Sequence, residues 1–163
     1  MPSHGNPDAE RVRCFVLTIS DTRTLATDTG GAAIVDLLER AGHEVVDRRL
    51  VRDDPDLVRE IVQSQLGAVQ AIVTTGGTGV TTRDSTYEAL SGIIEKHLHG
   101  FGELFRMLSY DQVGAAAMLT RATAGTARGT VVFMLPGAEP AVRLAMSKLI
   151  VPVLGHAVAE LTR

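Results

Sequence analysis

The chain of 163 residues is 45% hydrophobic and 21% charged, with a formal charge of −3 and a single cysteine. Its length suits one compact domain, and its composition excludes a disordered chain and an internal disulfide framework. A slightly acidic balance gives no electrostatic ground for a nucleic-acid partner or an anionic membrane surface.

Residues 1–10 are polar and contain prolines, and they read as a mobile tail ahead of one domain over 11–163. No secretory leader is visible and no apolar run is long enough to span a bilayer, so a cytoplasmic setting away from membranes is expected. Arg13 to Ile19 forms an apolar run that predicts a buried strand, with Cys14 a packed strand residue rather than a nucleophile. A polar loop, 20–31, leads into a helix whose Ile34, Leu37, Leu38 and Ala41 share one face and which Gly42 closes. Residues 43–51 alternate toward a second strand. Asp54-Pro55 supplies the N-cap and first turn of a helix that faces Val58, Ile61 and Val62 inward.

The β-branched run from Ala71 predicts a third strand that empties into Gly76-Gly77-Thr78-Gly79. Ser85 and Glu88 then have the spacing of a capping box for a helix with Leu90, Ile93 and Ile94 on one face. Beyond Gly100-Phe101-Gly102, a helix over 103–109 and an alanine-rich piece precede two strands, 122–126 and 130–135. Their short connection predicts antiparallel pairing. An amphipathic helix carries Val142, Ala145, Met146 and Leu149, and Pro152 interrupts it before a last helix ending near Leu161. Strands alternating with helices imply an α/β fold, a three-layer α/β/α sandwich whose mostly parallel sheet has one antiparallel strand.

In such sheets ligands bind outside the carboxyl ends of the strands. The residues found there are Ser20 and Asp21, Asp53 and Asp54, Thr75 through Gly79 to Asp84, and Pro136-Gly137. Glycine-rich loops at Gly76, Gly77, Thr78, Gly79 and Gly137 suit a phosphate, whereas Asp53 and Asp84 suit a hydrated Mg²⁺ held against a nucleotide. Each piece also has a plainer reading. The glycine loop has neither the Lys-Ser/Thr of a Walker loop nor the spacing of a dinucleotide fingerprint, and any tight turn needs glycine. Asp54 is better read as a cap than as a ligand, Asp84 also suits a helix terminus, and Ser20-Asp21 also suits a turn. His97 and His99, two apart, diverge on a helix and make a poor metal pair.

In chain order, Thr18-Ile19-Ser20-Asp21, Asp28-Thr29-Gly30, Thr74-Thr75-Gly76-Gly77-Thr78-Gly79, Arg83-Asp84, Gly100-Phe101-Gly102-Glu103 and Leu135-Pro136-Gly137 with Ala141 resemble the MoaB/MogA family of molybdenum cofactor biosynthesis. That family is related to the molybdopterin-binding domains of gephyrin and of the plant cofactor enzyme, and the 101–109 run is closer to MoaB than to MogA. The resemblance spans nearly everything from Arg11 onward. It implies the molybdopterin-binding fold of this family, a homotrimer or homohexamer, and a site for molybdopterin. In the adenylyltransferase members, ATP with Mg²⁺ activates the terminal phosphate of molybdopterin, and the two aspartates that carry this fall here on Asp53 and Asp84. Arg52, where those members tend to have proline, and the acidic Ala138-Glu139-Pro140 depart from the pattern.

Two readings follow. One is molybdopterin adenylyltransferase activity, with Asp53 and Asp84 catalytic and holding Mg²⁺, and with Ser20, Asp21, Thr75, Gly76, Gly77, Thr78, Gly79, Pro136 and Gly137 binding the ligands. The other is a carrier that binds molybdopterin without chemistry. A phospho-acceptor signalling domain would need a lysine directly after the last strand, but Lys148 falls inside a helix.

Overall fold

The computed structural model describes residues 11–163, so the tail expected at 1–10 lies outside the described residues. The elements are β1 (Arg13–Ile19), α1 (Thr29–Arg40), β2 (Glu44–Val51), α2 (Pro55–Gln65), β3 (Ala71–Thr75), α3 (Thr86–Ser91), β4 (Lys96–His97) and α4 (His99–Val113). A short 3₁₀ helix (Gly114–Leu119), β5 (Thr123–Ala127), β6 (Thr130–Leu135), α5 (Glu139–Ala145), a π turn (Met146–Ile150) and α6 (Val151–Leu161) complete the order.

One six-stranded sheet runs β2-β1-β3-β6-β5-β4. The pairs among β2, β1, β3 and β6 are parallel, and β5 alone runs against both its neighbours. The central strands are apolar at nearly every position because both faces are covered. Along β1, Cys14 and Val16 point to one face and Phe15, Leu17 and Ile19 to the other. The first face packs on α1, α4, α5 and α6 through Ile34, Leu38, Phe105, Val142, Met146, Ile150 and Leu154. The second packs on α2 and α3 through Val58, Val62 and Leu90. Fully burying each such side chain stabilises by about 1.5–3 kcal/mol.

Several local expectations are corrected. Ser85 precedes α3 but caps nothing with its side chain, and Glu88 pairs with Arg121, so no capping box forms. The helix ends at Ser91; Ile93 and Ile94 follow it, still packed on the same core. α4 starts at His99, four residues before the expected start, despite two glycines in its first turn. The close approach explains Gly102, because a Cβ there would sit 2.8 Å from Ala122 O. The β5–β6 connection is a two-residue hairpin, Arg128 (φ +50°) and Gly129 (φ +76°), the pair of left-handed residues that a type I′ turn requires.

Pro152 does not break the C-terminal helix. Glu139–Leu161 is continuous, and by length and composition these 23 residues are apolar enough to cross a bilayer, contrary to the sequence expectation. In the fold this helix lies on the sheet. Its buried residues Val142, Met146, Ile150, Leu154 and Val158 recur every fourth position, slower than the 3.6-residue α-helical repeat. The wider π turn, where Pro152 offers no N–H to the preceding turn, absorbs that drift and keeps the apolar stripe aimed at the sheet.

Candidate functional site

The chain passes from β1 to β2 on one side and then crosses to β3 on the other, so the strand order reverses between β1 and β3. A crevice at the carboxyl ends follows from that reversal. There lies an open cavity of about 550 Å³, lined by Ser20, Asp21, Asp53, Gly76, Gly77, Thr78, Gly79, Asp84, Pro136 and Gly137, with Arg83, Leu119, Thr120 and Ala138 among its other walls. Of the residues given a catalytic or ligand-binding role from sequence, Thr75 alone stands outside it. Thr75 lines an adjoining pocket of about 300 Å³, and its Oγ1 donates to Pro136 O at 2.7 Å, joining the ends of β3 and β6.

The glycine loop is positioned by its close neighbours. Gly76 has φ +100°, and a Cβ there would strike Ile19 O; Gly77 has φ +73°, and a Cβ there would strike the Thr86 hydroxyl. The Gly76 N–H donates to Leu135 O at 2.9 Å, so this residue extends the ladder and gives no donor to an anion, a correction to the cradle expected at 76–79. Among the described residues, the N–H groups of Gly77, Thr78 and Gly79 donate to no protein atom.

The carboxylates divide by role. Asp54 caps α2, accepting from Asp56 N at 3.1 Å and Leu57 N at 3.3 Å, as expected. Asp53 is nearly buried; its Oδ1 accepts from Ser85 Oγ at 2.5 Å. Asp84 Oδ2 accepts from the N–H and hydroxyl of Thr81 at 2.9 and 2.7 Å. Among the described residues, Asp53 Oδ2 and Asp84 Oδ1 accept no hydrogen bond, so each carboxylate keeps one oxygen available to the cavity.

Asp21 instead acts as a strut. Arg83 grips it through Nε at 2.9 Å and Nη2 at 3.1 Å, and its Oδ1 also accepts from Asp53 N at 3.1 Å. The Arg83 guanidinium, then the Asp53 amide, hold its carboxyl below the usual range. Ser20 Oγ accepts from Thr22 N and Arg23 N, at 3.2 and 3.0 Å, which is the turn-capping alternative. Glu139 forms an ion pair with Arg143 at 3.1 Å, which offsets the negative charge that its position beside Gly137 threatened.

Sequence reasoning missed Arg121, and it gave Asp28, seen only as part of a motif, no role of its own. Arg121 reaches 42 residues back to Gly79 O, and nothing in its local sequence marks it. Asp28 is nearly buried and N-caps α1, accepting from Gly31 N at 3.0 Å, Thr18 Oγ1 at 2.6 Å and Arg48 Nη2 at 3.1 Å. Burial opposes its ionisation, yet these three donors outweigh it and leave its pKa below the ordinary value. The signal available was Asp28-Thr29-Gly30 itself, an Asp directly before a helical pattern. His97 and His99 stack with ring centroids 5.6 Å apart, and among the described residues no three His, Cys, Asp or Glu side chains gather as a metal-holding group.

Residues 15–156 match a family model described as a probable molybdopterin binding domain. The chain is similar to molybdenum cofactor biosynthesis protein B of Bacillus cereus, 47% identical over 163 residues, covering 98% of this chain and 96% of that one. Its structure resembles a crystal structure of molybdenum cofactor biosynthesis protein B with TM-score 0.90 and 48% identity, over 95% of this chain and 98% of that one. It also resembles the tungsten cofactor synthesizing protein MoaB from Pyrococcus furiosus, with TM-score 0.86 and 35% identity over 94% and 99% of the two chains.

Proposed function

We propose, for a chain that belongs to the molybdopterin-binding family of molybdenum cofactor biosynthesis proteins, that it binds molybdopterin and transfers the adenylyl group of ATP to the terminal phosphate of that pterin. One observation carries the reading. N–H groups of Gly77, Thr78 and Gly79 that donate to no described protein atom share a cavity with two carboxylates, Asp53 and Asp84, each with one oxygen unengaged. Donors suit phosphate, while carboxylates beside phosphate suit a hard cation.

Molybdopterin and ATP are the substrates. An oxygen of the pterin phosphate would attack the α-phosphorus of ATP, and the bond to pyrophosphate would break. The donor set fits Mg²⁺, which prefers one or two protein carboxylates completed by water and substrate phosphates. Asp53 and Asp84 would hold it, and its chemistry there is to offset charge on the transferring and leaving phosphates. The loop at Gly77, Thr78 and Gly79, with Gly137 packed beside Gly76, would orient the attacking phosphate, an effect of position rather than of covalent chemistry. Arg83 stiffens the wall by tying Asp21 to the backbone of Asp53, whose carbonyl accepts from Arg83 Nη2 at 3.2 Å.

A carrier that binds molybdopterin without chemistry is the second reading. It is favoured by Asp21 and Asp84 being engaged in ties within the protein, Asp21 through both oxygens. Purified protein incubated with molybdopterin, ATP and Mg²⁺ separates the two. Adenylylated pterin, lost in Asp53→Ala and Asp84→Ala, supports the enzyme. Tight pterin binding with no adenylate leaves the carrier.

A further inference from the structure

Four consecutive carbonyls of the glycine loop are tied down. Gly76 O accepts from Thr86 Oγ1 at 2.9 Å, and Gly77 O from the Thr86 N–H at 3.0 Å. Thr78 O accepts from the Arg121 N–H at 2.8 Å, and Gly79 O from the Arg121 guanidinium at 3.0 Å through Nε and 2.8 Å through Nη2. In a trans peptide the C=O of one residue and the N–H of the next point in opposite directions. Anchoring these carbonyls therefore turns the N–H groups of Gly77, Thr78, Gly79 and Val80 the other way. The loop lines the cavity whereas Thr86 and Arg121 do not, so the other way is into the cavity. A run of N–H donors along one side of a chain makes a concavity for an anion.

We infer that Arg121, assisted by Thr86, is a positioning residue for phosphate: it stands behind the loop and sets the direction in which the backbone donors point. Arg121 is fixed in turn by an ion pair with Glu88, by Tyr87, whose ring centroid lies 5.3 Å from the guanidinium carbon, and by the Asp84 carbonyl at 3.3 Å. That last contact links the donors of the loop to the backbone of the carboxylate residue proposed to serve the same ligand. Only a planar guanidinium can place two donors on the Gly79 carbonyl and still reach that of Asp84, so lysine is not an equivalent substitute.

The inference rests on the proposed use of this cavity for phosphate, and its test keeps the two apart. Binding of inorganic pyrophosphate is measured by calorimetry for the wild type, Arg121→Met and Arg121→Lys, with ¹H–¹⁵N shifts of Gly77, Thr78 and Gly79 followed in the titration. We expect the loop amides of the wild type to respond and Arg121→Met to bind about tenfold or more weakly, the scale of one charge-assisted hydrogen bond. Arg121→Lys keeps the charge and the Glu88 pair, guards against a folding failure, and is expected to restore binding only in part. Loop amides that ignore pyrophosphate, unchanged affinity in both variants, or full rescue by lysine would each overturn the inference. Arg121-dependent binding with no adenylate formed from molybdopterin would instead sink the proposed reaction and leave the positioning role standing.

Discussion

Removing the Asp28 carboxylate is expected to be among the costliest single changes near the site. Asp28→Ala deletes an N-cap, worth about 1 kcal/mol. It also strips a nearly buried partner from Arg48, whose Nε already lacks a hydrogen-bond partner in the fold. Breaking a fully buried pair costs about 3–5 kcal/mol. Because the Arg48 side chain is 24% exposed, it can recover some hydration, so the pair is worth about 2–3 kcal/mol and with the cap the total comes to about 3–4 kcal/mol. For a chain of this size that lowers the melting midpoint by about 6–16 °C. Asp28→Asn keeps an acceptor for Gly31 N but loses the charge, so it should cost less than Asp28→Ala.

The pH dependence adds a signature. The folded pKa of Asp28 is depressed, so its contribution is complete above the ordinary carboxylate value of 3.8 and is lost as pH falls through the lower folded value. The stability gap between wild type and Asp28→Asn should therefore be widest near neutral pH and close in strong acid. Urea titrations at several pH values, with equal slopes for both proteins, measure it. A gap under about 1 kcal/mol at pH 7, or one that does not shrink in acid, would refute the reasoning.

Gly76→Ala places a Cβ against Ile19 O at φ +100°, where neither backbone can yield cheaply, and should destabilise by about 3 kcal/mol or more in denaturant unfolding. Cys14 is buried with its thiol pushed up to about 12, so a maleimide or disulfide reagent at pH 8 should leave the native protein unlabelled and react only after denaturation. Glu88→Gln removes the partly exposed partner of Arg121, and thermal melts should show a loss under about 1 kcal/mol that high salt erases.

The sheet was legible because its central strands are short apolar runs and their ends carry turn chemistry. Asp54-Pro55 announces itself by residue type, and the brevity of the link before Thr130 pointed to the antiparallel pair, while the left-handed Arg128 carried no such mark. The carboxyl-end rule likewise led to residues that the fold gathers around one cavity. What stayed hidden was the allotment of hydrogen bonds, since each donor has several local acceptors and tertiary neighbours decide between them. Ser85 faces Asp53 instead of its own helix end, Glu88 turns to Arg121, and the Gly76 N–H joins the sheet. The early start of α4 escaped for a related reason, because helix propensity counts Gly100 and Gly102 as breakers while packing against Ala122 makes Gly102 a requirement. Arg121 depends on a contact across 42 positions, beyond any local pattern.

The continuous helix from Glu139 to Leu161 also bears on how the chain matures. It supplies Val142, Met146, Ile150, Leu154 and Val158 to the apolar layer over β1, β3 and β6, and it is the last of the described elements to leave the ribosome. Until it emerges, β6 lacks the cover that α5 and α6 give it, and that face of the sheet is still wet. Nascent chains at that stage expose the kind of apolar surface that chaperones hold and that neighbouring chains stick to. Closure of this apolar layer therefore waits on a helix that follows every other described element in the chain.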